Sequence, residues 1–216
     1  MTHDDHVHPA IHNALNLDGN PSKVRQYYED WATSYDKDLA HEAYTAPEIT
    51  AVLLNETINT HGLLAAALEV ADVGCGTGLV GVLLAKSGFE LIDGMDISPM
   101  MVEIAQERGV YRELHGDVDM TQPLNPAWRT AYDVVLCCGM FTLGHVPPET
   151  LRPLFDMTRP NGFIIVSTRT GYYDDSNYQA VSNQFIADGV ITLEKMLPNA
   201  PYTNDSLSHY WVYQKR

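Results

Sequence analysis

Basic residues are scarce in this chain of 216 residues: 13 Lys and Arg stand against 28 Asp and Glu, a formal net charge of −15. Gripping a nucleic-acid backbone takes clustered cations that displace its counterions, and no basic block occurs here. Nucleic acid and anionic membrane surfaces are therefore not expected as partners. A small-molecule substrate fits the charge better, and a basic protein or peptide is compatible with it. Cysteine is nearly absent too. Cys75, Cys137 and Cys138 are the only three, and none has the spacing of zinc ligands. Cys137 and Cys138 are neighbours, so on a strand they point to opposite faces. We expect small, reduced, buried side chains, with no metal centre. Long apolar runs are missing: none approaches the roughly 20 residues of a membrane span. Met1-Thr-His-Asp-Asp-His6 lacks the basic-then-apolar order of a signal peptide. A cytoplasmic protein, monomeric or homodimeric, is the expectation. The 45% hydrophobic content supports one full core without disulfide or metal support.

What is present is concentrated in Leu68-Glu-Val-Ala-Asp-Val-Gly-Cys-Gly-Thr-Gly78. An apolar run holding one acid ends in Gly74, Gly76 and Gly78, and an amphipathic segment, 79–86, follows at once. That order reads as buried strand, tight turn and helix N-terminus. Glycine tolerates positive φ and lets a ligand approach the backbone, while the free N–H groups of the helix start face the same point. The result is a nucleotide-cofactor pocket. The dinucleotide fingerprint G-x-G-x-x-G would need its third glycine at position 79, which is Leu79. That weakens a nicotinamide enzyme. The pattern present, D-x-G-x-G-x-G from Asp72, resembles motif I of the class I S-adenosylmethionine (SAM) dependent methyltransferases.

Four further segments agree with that resemblance. Phe89 to Asp96 reads as a second strand ending in an acid about 20 residues past the glycines, where a carboxylate can take both ribose hydroxyls. His115-Gly-Asp117-Val118 follows a short third strand, Tyr111 to Leu114. Tyr132 to Cys138 is a nearly all-apolar fourth strand, as a central parallel strand should be. Arg159-Pro-Asn-Gly162 turns into a fifth strand, Phe163 to Ser167, and resembles the family's R-P-G-G turn with Asn161 in place of a glycine. The resemblance implies a SAM site built on Gly74, Cys75, Gly76 and Gly78. Asp96 would hold the ribose, Ile97 and Met100 would flank the adenine, and Asp117 with the Val118 N–H would read its edge. Asp72 would reach the SAM ammonium or else cap loop amides. Backbone at Cys138 and Gly139 would hold the ammonium, and Tyr35, with Trp31 as a weaker candidate, would meet the methionine part. Ile97, Met100, Asp117 and Trp31 also have plain structural readings as core or turn residues.

Along the chain, residues 1–20 are polar, with His3, His6, His8 and His12 at irregular spacing. We expect a flexible tail, followed by one methyltransferase domain over 21–216. Residues 21–35 repeat Val24, Tyr27, Tyr28, Trp31 and Tyr35 at helical steps. A second helix opens at Pro47, and these cap helices, 21–61, would close over the cofactor. From Leu68 strand and helix alternate, the pattern of a doubly wound parallel sheet. The last two strands, 190–197 and 208–213, are joined without a helix, so the final one should run antiparallel. The expected fold is α/β: a Rossmann-like, doubly wound, mostly parallel seven-stranded sheet with a reversed last strand and N-terminal lid helices. Tyr28-Glu-Asp-Trp-Ala-Thr-Ser-Tyr-Asp36, with Tyr44-Thr-Ala-Pro47, resembles the N-terminal signature of the Williams–Beuren-region methyltransferase-like group.

Ligands of open α/β sheets bind at the C-terminal ends of strands. After the fourth strand comes His145, a candidate general base or a loop histidine bonded to backbone. After the fifth come Arg169, Tyr172 and Tyr173, candidate substrate contacts through a carboxylate pair or aromatic stacking. The function so implied is in-line transfer of a methyl group from SAM to an O, N or S nucleophile on a small molecule. A non-catalytic SAM-binding subunit, or a methyltransferase acting on a protein or peptide, are the alternatives.

Overall fold

The computed structural model describes residues 8–216. Seven strands form one sheet in the order β3-β2-β1-β4-β5-β7-β6: β1 (Glu69–Val73), β2 (Leu91–Met95), β3 (Glu113–His115), β4 (Tyr132–Phe141), β5 (Thr158–Arg169), β6 (Ile191–Thr203) and β7 (Ser206–Lys215). Strands β1 to β5 pair in parallel, and β7 enters antiparallel between β5 and β6. The reversed last strand expected from the helix-free connection is thus present. The hairpin is tighter than the sequence suggested, because residues 199–203 continue β6 and only Asn204 and Asp205 turn.

Alternation along the central strands divides the core in two. In β4, Val134 and Leu136 pack on one face with α4 (Ala46–Thr60) and α5 (Leu79–Lys86). Val135 and Cys137 pack on the other with α7 (Leu151–Met157) and α9 (Tyr178–Ala187). Cys138 returns to the first face, as the two-residue period requires. All three cysteines are free thiols, Cys75 and Cys137 buried and Cys138 half-buried.

The N-terminal region departs from expectation. Residues 8–20 are not a tail through their length: α1 (Pro9–Leu15) buries Ile11 and Ala14 against Trp31 and Leu39. Its start is set by His8, whose side chain accepts from the Ala10 N–H, and by Pro9 in the first turn. His3 and His6 lie outside the described residues. The helix expected over 21–35 ends at Trp31, as α2 (Pro21–Trp31), and α3 (Tyr35–His41) starts anew. These three helices form a lid fastened to the body at several points. Gly19 N–H donates to the Gly144 carbonyl at 2.9 Å, Arg25 pairs with Asp117, and Asp36 accepts from Thr77 Oγ1 at 2.5 Å and pairs with Arg108. Gly144 is required here, since a Cβ on it would stand 2.1 Å from the Leu17 carbonyl oxygen.

One aromatic ring fixes the floor under the glycine turn. Tyr111 donates its hydroxyl to Asp72 at 2.7 Å, and its ring lies against Gly78, Gly81 and Gly94. A Cβ on Gly81 would stand 2.4 Å from the Tyr111 hydroxyl and ring. Because that hydroxyl is tied to a buried carboxylate, Gly81→Ala should lower stability by about 1–3 kcal/mol through overpacking. Urea unfolding reads this directly, and an unchanged midpoint would mean that the ring yields freely.

Candidate functional site

The turn after β1 is held open by its own backbone. Gly74 and Cys75 N–H groups donate to the Met95 carbonyl at 2.8 and 3.1 Å. Gly74, Gly76 and Gly78 all have positive φ, at 71°, 53° and 88°, which only glycine adopts without strain. A Cβ on Gly76 would meet nothing within 4 Å, so the turn presents bare backbone to open space. That space belongs to a cavity of about 1130 Å³ counted out to its mouth. It lies at the C-terminal ends of β1, β2, β4 and β5, between the body and the lid.

Asp96, just beyond β2, lines this cavity. One carboxylate oxygen accepts from the Gly76 N–H at 2.9 Å and the other from the Ser98 N–H at 2.8 Å. An ionised carboxylate has about four acceptor positions, so capacity for two further donors remains. Burial pushes the Asp96 carboxyl upward, against the Ser98, Gly76 and Ile97 amides that favour its charge. Ser98 caps α6 (Pro99–Glu107) by accepting from the Met101 N–H, which frees Asp96 from that task. Bare glycine backbone beside a carboxylate with spare acceptors is a cradle that fits a ribosyl cofactor.

The structure brings together most of the expected residues and separates others. Tyr35, Gly74, Gly76, Asp96, Ile97, Val118, Cys138, Gly139, His145 and Arg169 line the same cavity, as does Trp31. Asp72 does not: it is 1% exposed beneath the turn, and burial lifts its carboxyl to about 6 in spite of the Tyr111 hydroxyl bond. Its hydrogen-bond partner is the Tyr111 hydroxyl rather than the loop amides of the structural reading. Cys75 and Gly78 shape the turn without lining the space. Met100 points outward, and its neighbour Met101 supplies the wall. Asp117 sits at φ 62° on the surface, paired with Arg25, and is replaced in the lining by Asp119. The Val118 N–H is spent on the Asp96 carbonyl at 3.0 Å, so it has no bond left for a base.

The two tyrosines expected at the substrate are structural. Residues 170–175 form a helix, α8 (Thr170–Asp175), rather than a loop. It turns Tyr172 into the core, where its hydroxyl donates to the Val146 carbonyl at 3.0 Å. Tyr173 packs on His209 and donates to Gln179. The aromatic walls come instead from Tyr28 and Tyr35 on the lid, Tyr44 before α4 and Tyr202 at the end of β6. A Cβ on Gly139 would stand 2.9 Å from the Tyr44 hydroxyl and 3.2 Å from that of Tyr202, so Gly139 makes room for both. Tyr28 and Tyr44 fall within the N-terminal signature; Tyr202 carries no sequence signal.

His145 is buried in the cavity wall at 7% exposure. Its Nδ1 faces the Leu143 carbonyl at 2.9 Å. A carbonyl only accepts, so Nδ1 carries the proton and Nε2 is the acceptor. Nε2 lies 2.7 Å from the Tyr28 hydroxyl, which therefore donates to it. Burial lowers the His145 pKa to about 4, with the Leu143 bond opposing and Arg169 adding to the effect. The unfolded chain takes up a proton near the ordinary 6.5 that the folded imidazole refuses until about 4. Stability from this group is therefore present above pH 6.5 and lost as pH falls through 4. Asp72, raised to about 6, works in the opposite sense over an overlapping range. Between pH 7 and pH 5, wild type should lose more stability to denaturant than His145→Gln, and parallel curves would contradict a neutral buried imidazole.

A seven-stranded sheet with a reversed strand inserted beside β5, and a glycine cradle answered by an acid after β2, together define a class I SAM-dependent methyltransferase. A family model described as a methyltransferase domain matches residues 39–216, and the chain belongs to that family, with SAM as its cofactor. Over 155 residues, 71% of the chain, it is 37% identical to Methyltransferase-like protein 27 of Homo sapiens. It is 29% identical to a ubiquinone biosynthesis O-methyltransferase of Aliivibrio fischeri over 199 residues, 88% of the chain. The chain spans 59% of the length of the human relative and 77% of the bacterial one. The magnesium protoporphyrin IX methyltransferase of Synechocystis, solved with bound S-adenosylhomocysteine (SAH), shares the fold at a TM-score of 0.66 and 18% identity, covering 91% of this chain and all of that one.

Proposed function

We propose that this chain methylates a hydroxyl group on a small molecule, with the Tyr28–His145 pair receiving the proton. The carrying observation is that pair: a neutral buried imidazole whose free lone pair is bonded to a tyrosine on the cavity wall. Gly74, Gly76 and Asp96 hold SAM, with Asp96 on the ribose hydroxyls. Cys138 and Gly139 border its amino-acid part, and Tyr35 covers it from the lid. Bound there, SAM supplies an activated methyl group on a cationic sulfur.

Tyr28 donates to His145, so the lone pairs on its oxygen remain to accept a bond from an acceptor hydroxyl. The acceptor proton passes to the Tyr28 oxygen as the Tyr28 proton passes to His145 Nε2. The imidazolium so formed keeps its Nδ1–H on the Leu143 carbonyl. A base of low pKa suffices, because the oxygen becomes strongly acidic as its bond to carbon forms. Aromatic walls exclude water and orient a flat substrate. The name of the Aliivibrio relative, an O-methyltransferase, supports oxygen as the nucleophile.

Incubation with radiolabelled-methyl SAM and fractionated cell metabolites tests this reading. Label in a base-stable ether supports it. Label only in protein would favour a macromolecular acceptor, and absence of transfer by a SAH-binding protein would favour a non-catalytic subunit.

A further inference from the structure

Arg169 closes β5 and lines the cavity, with its guanidinium carbon 5.1 Å from the centre of the Tyr202 ring. Every other arginine before the chain end has an acidic partner: Arg25, Arg108, Arg112, Arg129, Arg152 and Arg159 each pair with a carboxylate. Among the described residues Arg169 has none. In a chain with 28 acidic residues this is selective, because a half-buried cation without a partner loses hydration uncompensated.

The acids that line the cavity, Asp96 and Asp119, do not pair with Arg169 and are committed elsewhere. Asp96 follows β2, three strands from β5 in the sheet, which is about 14 Å at the usual strand spacing. It accepts from Gly76 and Ser98, and Asp119 accepts from Thr121 and Gln122. The charge of Arg169 acts where the tyrosines stand, against Asp96, which adds to burial in raising the Tyr28 and Tyr35 phenols. Burial holds His145 low and the Tyr28 and Tyr202 phenols high, and Arg169 reinforces the first and opposes the second.

Resting on the methyltransferase reading, we infer that the acceptor is an aromatic or similarly flat anion whose carboxylate pairs with Arg169 while its body lies against Tyr28, Tyr44 and Tyr202. The planar guanidinium fork matches a carboxylate in two parallel bonds, and stacking on Tyr202 fixes the fork's direction. An acceptor anchored this way would carry its hydroxyl toward Tyr28.

The test uses 4-hydroxybenzoate and its neutral counterpart 4-hydroxybenzamide as probes, titrated calorimetrically into SAH-loaded protein. Wild type should bind the benzoate at least about tenfold more tightly than the amide, the range of a charge-assisted bond. Arg169→Gln should erase that preference and keep SAH affinity within about twofold, and Arg169→Lys should restore part of it. Equal binding of the two probes, or no binding of either to wild type, overturns the inference. So does a folded Arg169→Gln protein that has lost SAH affinity, since Arg169 would then serve the cofactor's own carboxylate. Failure of wild type to take up SAH at all would instead count against the methyltransferase reading.

Discussion

Asp96→Ala should bind SAH at least about tenfold more weakly than wild type. The carboxylate has capacity for two donors beyond the Gly76 and Ser98 amides it already accepts, and the two ribose hydroxyls are donors of the right number. Hydrogen bonds to a charged group contribute roughly 1.5–3 kcal/mol. The substitution also releases the Gly76 N–H, so part of the loss arises from a loosened turn. Asp96→Asn should be nearly as damaging: its single amide oxygen can keep only one of the two backbone bonds, from Gly76 or from Ser98, and its NH₂ offers donors where the ribose needs acceptors. Calorimetry on both variants, with circular dichroism as the check on folding, decides the matter. Normal SAH affinity in a folded Asp96→Ala protein would remove Asp96 from the ribose.

The frame of this site was legible because strands and glycine turns leave local marks. The apolar run into Gly74, Gly76 and Gly78 specifies strand, turn and helix within 11 residues, Leu68 to Gly78, and the acid of Asp96 follows at the next strand end. The reversed β7 was legible from a connection too short for a helix. What failed was the direction of single side chains. Whether Tyr172 and Tyr173 face the substrate depends on whether the chain continues as loop or coils at once into α8, and no residue in Thr170–Asp175 marks that start with a side-chain cap. Asp117 is carried to the surface at positive φ, while Val118 lines the cavity as expected but spends its N–H on the Asp96 carbonyl. Asn161, also at positive φ, stands at 67° in the turn where the family pattern has glycine; asparagine tolerates that region. The α1 helix was hidden because only Ile11 and Ala14 are buried in it, too few for a periodic signal. Tyr202 could not be read at all, since its role comes from a contact distant in sequence: the Thr45 N–H donates to its carbonyl at 3.0 Å and its ring meets that of Tyr44 edge to face.

Turnover in Tyr28→Phe and His145→Gln should fall by about 10²-fold or more, the usual worth of a positioned acid–base group, with SAH affinity nearly intact. The two residues act as one unit. In the proposed relay Tyr28 takes the acceptor proton while giving its own to His145, and His145 keeps it, since its Nδ1 is fixed on Leu143. Removing either breaks the same relay, so the double variant should be little worse than either single one. Two independent contributions would instead multiply to about 10⁴. Tyr28→Phe preserves the stack with Trp31, whose ring lies 6.0 Å away and nearly parallel, so the lid should stay in place and the loss should appear in kcat rather than in cofactor binding. Against an acceptor already ionised, such as a thiolate, no proton has to be caught, and both single variants should retain most of their activity. Full activity of both variants with a hydroxyl acceptor would sink the relay and leave His145 as a loop histidine that anchors the lid through Tyr28.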